Sequence, residues 1–235
     1  MNPEATRVLV VDDDGDIRHN VRDILEDLGY EVDLAPDGAV ALELADSSDY
    51  DIALLDYMMP GMNGVELYQQ LRRLQPEMVA IMITAFAGDD GVEAAYDSGA
   101  WKVLRKPIDV RSLIPMMDEA LQKPVVLVVD DDEEFCENLW QTLRHHDYRV
   151  DLAHTEDEGI RKAHRTTYST AIVDLKLGGG DGRKVIELIR RLRPDTRIVV
   201  VTGYRRSLDD FEVEVGSLCY KPVDMNELLN LISPV

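Results

Sequence analysis

The sequence predicts an α/β fold built twice: two domains in tandem, each a five-stranded parallel sheet with helices on both faces. Three observations carry this. The hexapeptide LVVDDD stands at Leu9–Asp14 and again at Leu127–Asp132. Asp13 and Asp131, Asp56 and Asp174, and Thr84 and Thr202 are each 118 positions apart, and the Lys106-Pro107 and Lys221-Pro222 pairs 115 apart. Polar landmarks in one order and near one spacing mark a unit copied once, and a period of that length is a domain, not a solenoid repeat. Apolar runs also alternate with amphipathic stretches through each copy, as parallel strands and crossover helices do. The domains are read as 1–122 and 123–235.

In the first copy, VLVV (8–11), YEVDLA (30–35), IALLD (52–56), VAIMIT (79–84) and WKVLR (101–105) read as strands. Several are apolar throughout, as expected where a sheet is covered on both faces. Ile17, Val21, Ile24, Leu25 and Leu28 fall at helical spacing between the first two strands, and Val65, Leu67, Leu71 and Leu74 do so after the third. The copy closes with DVRSLIPMMDEALQ. Pro115 lacks the N–H that a helix interior needs, so either the helix starts at Ser112 as its cap or it is kinked. Gln122-Lys123-Pro124 then leads into the second copy, a junction short enough to restrict relative motion. That copy repeats the pattern with VVLVV, RVDLA, TAIVD, RIVVVT and SLCYK.

The 235 residues are 45% hydrophobic, enough for two packed cores, and no segment reaches the apolar length of a membrane span. MNPEATR has no signal-peptide core, which makes a cytoplasmic protein the default and leaves no membrane role. Cys136 and Cys219 offer neither a disulfide framework nor metal-ligand spacing and read as small, partly buried hydrophobes. The formal charge of −21 argues against direct nucleic-acid binding. It is uneven: residues 1–122 hold 25 acidic and 9 basic side chains, residues 123–235 hold 21 and 16.

In an open parallel sheet, ligands bind beyond the carboxyl ends of the strands, where strand order reverses. Each landmark sits at such an end: Asp12 and Asp13 after the first strand, Asp56 at the third, Thr84 at the fourth, Lys106 after the fifth. The second copy supplies Asp130, Asp131, Asp174, Thr202 and Lys221. Stacked carboxylates repel unless a cation or solvent offsets them. Mg²⁺ suits carboxylate oxygens and keeps positions open for phosphoryl oxygens. A carboxylate can also act as a nucleophile toward phosphorus.

These motifs resemble the receiver domain of two-component response regulators over nearly the whole chain, about residues 6–122 and 124–235. VLVVDDD, LLDYMMPGMNG, IMITA and LRKPID carry the resemblance in the first copy, and VLVVDDD, IVDLKLGGGDG, VVVTG and CYKPVD in the second. It implies a flavodoxin-like (βα)5 fold and a phosphorelay role rather than an enzyme. Asp56 and Asp174 would accept a phosphoryl group from a histidine kinase or phosphotransfer protein. Mg²⁺ would be held by Asp13 or Asp131, the acceptor aspartate and the backbone carbonyl of Met58 or Lys176, with Asp12 and Asp130 orienting its water. Thr84, Thr202, Lys106 and Lys221 would bind phosphoryl oxygens. Asp14 and Asp132 are read as solvated. Self-association through receiver faces is a further option.

The copies also depart from the family pattern. Val103 and Leu218 stand where the family places an aromatic residue, three positions before the lysine. The second copy has LKLGGGDG in place of the Pro-Gly turn, and its glycines raise the entropic cost of ordering that loop. Lys176 either points to solvent or brings an ammonium near the metal. The second copy is three residues shorter between Thr202 and Lys221, so a short or displaced fourth helix is expected there. AGDDGVEAAYDSG in the first copy is too acidic for ready self-association at low salt. His145-His146 reads as a solvated helix end favoured by the dipole, and Met58, Met59, Met62, Met116 and Met117 as loop and core packing. Phosphatases with an aspartyl nucleophile carry a second Asp two positions on, where this chain has Met58 and Lys176. A nucleotide-binding relative would need a glycine-rich anion cradle that LVVDDD lacks. The remaining alternative is a receiver-fold scaffold whose second domain is not phosphorylated. No DNA-binding, kinase or cyclase-like segment is left over once both copies are assigned.

Overall fold

The computed structural model describes residues 5–85, 95–96, 98–203 and 217–233. The chain divides into two compact units, Met1–Lys123 and Pro124–Val235, one residue beyond the junction expected after Gln122. Unit 1 runs β1 (Arg7–Val11), α1 (Gly15–Asp27), β2 (Glu31–Ala35), α2 (Gly38–Ser47), β3 (Ile52–Asp56), α3 (Gly64–Leu74), β4 (Val79–Thr84), β5 (Lys102–Arg105) and α4 (Val110–Leu121). Unit 2 runs β6 (Val125–Val129), α5 (Glu133–His145), β7 (Arg149–Ala153), α6 (Glu156–Arg165), β8 (Thr170–Asp174), a two-residue hairpin of β9 (Lys176–Leu177) and β10 (Gly180–Asp181), α7 (Gly182–Leu192), β11 (Arg197–Thr202), β12 (Ser217–Tyr220) and α8 (Met225–Ile232).

Both large sheets are parallel. Their orders, β2-β1-β3-β4-β5 and β7-β6-β8-β11-β12, are the same order in the two copies. Alternate side chains of each strand enter different cores. Leu9 and Val11 pack with Leu55, Leu67 and Met82 on one face, whereas Val8 and Val10 pack with Leu25, Leu54 and Met117 on the other. Leu127 and Val129, and Val126 and Val128, divide in the same way in unit 2. Two buried faces per sheet explain the unbroken apolar runs. Cys136 and Cys219 are both fully buried, more so than expected. Among the described residues, no helix is long and apolar enough to cross a membrane.

Several local expectations change. The last helix of unit 1 starts at Val110, with Asp109 as its cap and Ser112 Oγ donating to Asp109. Pro115 therefore lies inside the helix, and the reading with Ser112 as cap fails. Asp14 and Asp132 are not merely solvated: Asp14 accepts the N–H groups of Asp16 and Ile17, and Asp132 that of Phe135, capping α1 and α5. The aspartates thus satisfy N–H groups that a helix start leaves without partners. Met59 and Met117 are buried as expected, but Met58 is 55% exposed. His145 ends α5 and His146 caps it, ring Nδ1 beside the Thr142 carbonyl. Val103 and Leu218 pack half-buried against their cores. The expected fourth helix of unit 2 and most of AGDDGVEAAYDSG lie outside the described residues.

Candidate functional site

Strand register assembles the site. Val11 pairs with Leu55, so Asp12 follows β1 beside Asp56 at the end of β3. Asp56 pairs with Ile83, which sets Thr84 one step on, and Thr84 pairs with Arg105, which sets Lys106 next. The N–H of Lys106 donates to the Thr84 carbonyl at 2.7 Å. In unit 2, Val129 pairs with Val173, Val201 with Asp174, and Thr202 with Tyr220. Asp130, Asp174, Thr202 and Lys221 thereby take corresponding places, with Lys221 N–H donating to Thr202 at 3.0 Å.

Asp12, Asp56, Thr84, Asp130, Asp174 and Thr202 are all buried, while Asp13 and Asp131 are exposed at the mouths of the two sites. Lys106 Nζ lies 2.7 Å from Asp12 and 2.8 Å from Asp56. Lys221 Nζ lies 2.7 Å from Asp130 and 3.0 Å from Asp174. The remaining oxygen of each strand-end carboxylate accepts a backbone N–H two residues on, Met58 to Asp56 at 3.3 Å and Lys176 to Asp174 at 3.0 Å. Both Lys-Pro peptides are cis.

Burial pushes the Asp56 carboxyl above its ordinary value, with Lys106 drawing it back and Asp12 adding to the rise. Burial does the same to Asp130, against Lys221 and the Asp132 N–H. For both ammonium groups burial opposes the charge, but two adjacent carboxylates outweigh it and hold Lys106 and Lys221 above the usual lysine value. Each centre is thus electrically tense, with two buried carboxylates sharing one cation.

Oxygens of Asp12, Asp13 and Asp56, and of Asp130, Asp131 and Asp174, come within 4.8 Å of one another in each unit. Such all-oxygen sets suit a hard cation such as Mg²⁺. The Met58 and Lys176 backbones border these sets, and the Lys176 side chain lies at the surface. Gly64 and Gly182 open the next helices, where a Cβ would collide with the carbonyl of Asp56 or Asp174.

Sequence reasoning missed three neighbours. Arg18 of α1 donates to the Asp12 carbonyl. Phe135 lies under Lys221 Nζ, 4.7 Å from the ring centroid, a cation–π contact that Ile17 at the equivalent position cannot make. His154 places Nδ1 3.1 Å from the Asp130 carbonyl. The first two were signalled only by standing three or four positions after the acidic triplet, in the first turn of the next helix.

The family model of the response regulator receiver domain matches residues 8–118 and 126–233. The chain is 35% identical to a response regulator receiver protein of Anaeromyxobacter sp. (strain Fw109-5), over 96% of this chain and 93% of that protein. It is 28% identical to the regulatory protein VanRB of Enterococcus faecalis (strain ATCC 700802 / V583), over 88% and 99%. Among solved structures, a CheY-like receiver domain of Methanospirillum hungatei JF-1 matches at 33% identity, covering 50% of this chain and 94% of that one, with a TM-score of 0.49. Two matched spans with one flavodoxin-like strand order make this chain a member of the response regulator receiver family, carrying two receiver domains in tandem.

Proposed function

We propose that both domains are phosphorylation-controlled switches, with Asp56 and Asp174 as phosphoacceptors and a phosphohistidine of a histidine kinase or phosphotransfer protein as donor. One observation carries this reading. In each unit a buried strand-end carboxylate is paired with a lysine ammonium and has two further carboxylates within 4.8 Å. A carboxylate oxygen attacks phosphorus as the P–N bond breaks, and the bonding pair leaves with the imidazole nitrogen, which takes up a proton.

Asp13 and Asp131, the acceptor aspartates and the Met58 and Lys176 carbonyls would hold Mg²⁺, with Asp12 and Asp130 orienting water around it. When bound, Mg²⁺ offsets the negative charge gathered on the phosphoryl oxygens. Lys106 and Lys221 then exchange a carboxylate partner for a phosphoryl oxygen, and the Thr84 and Thr202 hydroxyls donate to another. The aspartyl phosphate is lost again by hydrolysis, so the chain acts as a switch rather than as a turnover enzyme. A cytoplasmic location fits such a donor. The consequence is altered protein–protein contact, either directly or through an output domain.

The alternative, a scaffold whose second domain is not phosphorylated, is weaker because unit 2 has the same carboxylate, threonine and lysine arrangement. Intact mass after incubation with Mg²⁺ and acetyl phosphate tests the proposal. Two labile phosphoryl additions are expected in the wild type and one in each of Asp56→Asn and Asp174→Asn. A single addition lost only in Asp56→Asn would favour the scaffold reading for unit 2, and no addition in any protein would contradict phosphorylation by small donors.

A further inference from the structure

The two units pack the loop after the acceptor aspartate in opposite ways. In unit 1, Gly38 at the start of α2 faces Met62, and a Cβ at Gly38 would lie 3.0 Å from the Met62 sulfur. The equivalent positions in unit 2, 118 residues on, are Glu156 and Gly180. Here the glycine is on the loop, and a Cβ at Gly180 would lie 2.8 Å from the Glu156 Cβ. Bulk has moved from the loop to the helix while the same gap stays filled.

The exchange brings a carboxylate. Glu156 Oε2 accepts the Asp181 N–H at 2.8 Å, and Oε1 pairs with Lys184 at 2.7 Å. Asp181 pairs in turn with Lys176 across the β9–β10 hairpin. Lys176 N–H donates to the Asp174 carboxylate. A continuous chain of contacts therefore runs from the first residue of α6 to the acceptor aspartate. The hairpin also presses on the acidic mouth, where a Cβ at Gly178 would lie 2.8 Å from Asp131 Oδ2. A cleft of about 460 Å³ bordered by Asp131, Glu156, Gly178 and Lys184 lies alongside.

We infer that Glu156 is a positioning residue for the second site: it straps the glycine hairpin so that the Lys176 backbone is held ready for Mg²⁺. This rests on the phosphoacceptor reading above. It accounts for a loop of three glycines that, without an external tie, would be entropically costly to order. Unit 1 needs no strap, since Pro60 restricts the loop backbone and Met62 packs against Gly38. The Glu156 carboxyl is held below its ordinary range by Lys184 and by the Asp181 N–H, so it is ionised at neutral pH.

The test is a Mg²⁺ titration of the full chain followed by amide resonances, with Lys176 reporting on unit 2 and Met58 on unit 1. Asp181 amide exchange is measured beforehand without Mg²⁺. Glu156→Ala should speed Asp181 exchange and raise the Mg²⁺ concentration for half-saturation at Lys176 by about fivefold, the scale of one lost hydrogen bond, leaving Met58 unmoved. Glu156→Gln, which can still accept from Asp181 N–H, should restore most of the affinity. Asp157→Ala, which removes a neighbouring first-turn charge of α6 and leaves the Glu156–Asp181 bond in place, should change neither reporter. Faster Asp181 exchange with unchanged half-saturation at Lys176 would overturn the inference while leaving the phosphoacceptor reading intact. No Mg²⁺ response at either reporter in the wild type would overturn both.

Discussion

The loops after Asp56 and Asp174 lie beside closely similar acidic centres and are built differently. The first turns through Pro60 and Gly61 and fills its gap with Met62, while the second is a glycine hairpin tied to Glu156. A second exchange occurs on the edge strands. Asp33 accepts from Tyr50 OH and pairs with Arg7 of β1, whereas Asp151 accepts from Tyr168 OH and pairs with Lys162 of α6. The carboxylate and tyrosine are kept, and the cation comes from another element. The site residues that strand register brings together, Asp12, Asp56, Thr84 and Lys106, have the same residue types at their counterparts in the second copy. Residues that meet by packing can be traded in reciprocal pairs.

The largest expected effect probes that traded cation. Asp151 is buried at 1% exposure, so Lys162→Met strands a carboxylate and should destabilise unit 2 by about 3 kcal/mol. The Asp33 side chain is 41% exposed, so Arg7→Met should cost unit 1 no more than about 1 kcal/mol. Trp101 and Trp140 fall one in each unit, so denaturant unfolding in single-tryptophan backgrounds reads the units separately. Equal losses would show that the two networks are energetically alike despite their burial.

The next effect probes the burial penalty on two of the site carboxylates, Asp56 and Asp130. Asp56 is raised in the folded state, so its unfolded form ionises first, and stability falls as pH rises from the ordinary carboxylate value through the folded one. Asp56→Asn should therefore raise the unfolding midpoint of Mg²⁺-free unit 1 at neutral pH, with the gain fading below the ordinary carboxylate range. In unit 2 the same behaviour is expected of Asp130→Asn. Thermal unfolding in chelator across pH checks both, and a lowered midpoint at neutral pH would contradict the sign.

The caps should be nearly equal. Asp14→Ala and Asp132→Ala each remove an N-terminal cap and should cost about 1 kcal/mol in their own unit, read by the same unfolding curves. The subtlest effect is the pH dependence of the strap. Glu156 is lowered in the folded state, so its contribution is present above the ordinary carboxylate value and is lost as pH falls through the folded value. The part of the Asp181 amide shift that Glu156→Gln abolishes should follow that loss, while the Met62 amide, whose packing contact with Gly38 involves no ionisable group, should not move over the same window.

The apolar runs and the acidic strand ends made most of the fold and both centres legible in the sequence. Parallel strands of known direction bring their carboxyl ends together, so Asp12, Asp56, Thr84 and Lys106 could be grouped although far apart in the chain. The cap role of Asp14 and Asp132 was not legible from the triplet, because an exposed aspartate before a helix looks the same in sequence whether it is solvated or accepts the first N–H groups. Glu156 was missed for a different reason. Its partner Asp181 is 25 positions away, and no periodicity in the sequence marks the contact. Phe135 was likewise hidden, because at its position an aromatic and an aliphatic side chain satisfy the same helical pattern.

The central claim is that one chain carries two working phosphoacceptors, and borohydride trapping tests it most directly. After incubation of the wild type with Mg²⁺ and acetyl phosphate, hydride reduces each aspartyl phosphate to homoserine with release of phosphate, and peptide mass spectrometry locates the product. The account predicts homoserine at both position 56 and position 174 of the same preparation. Product at position 56 alone, or at aspartates outside the two strand ends, would contradict it.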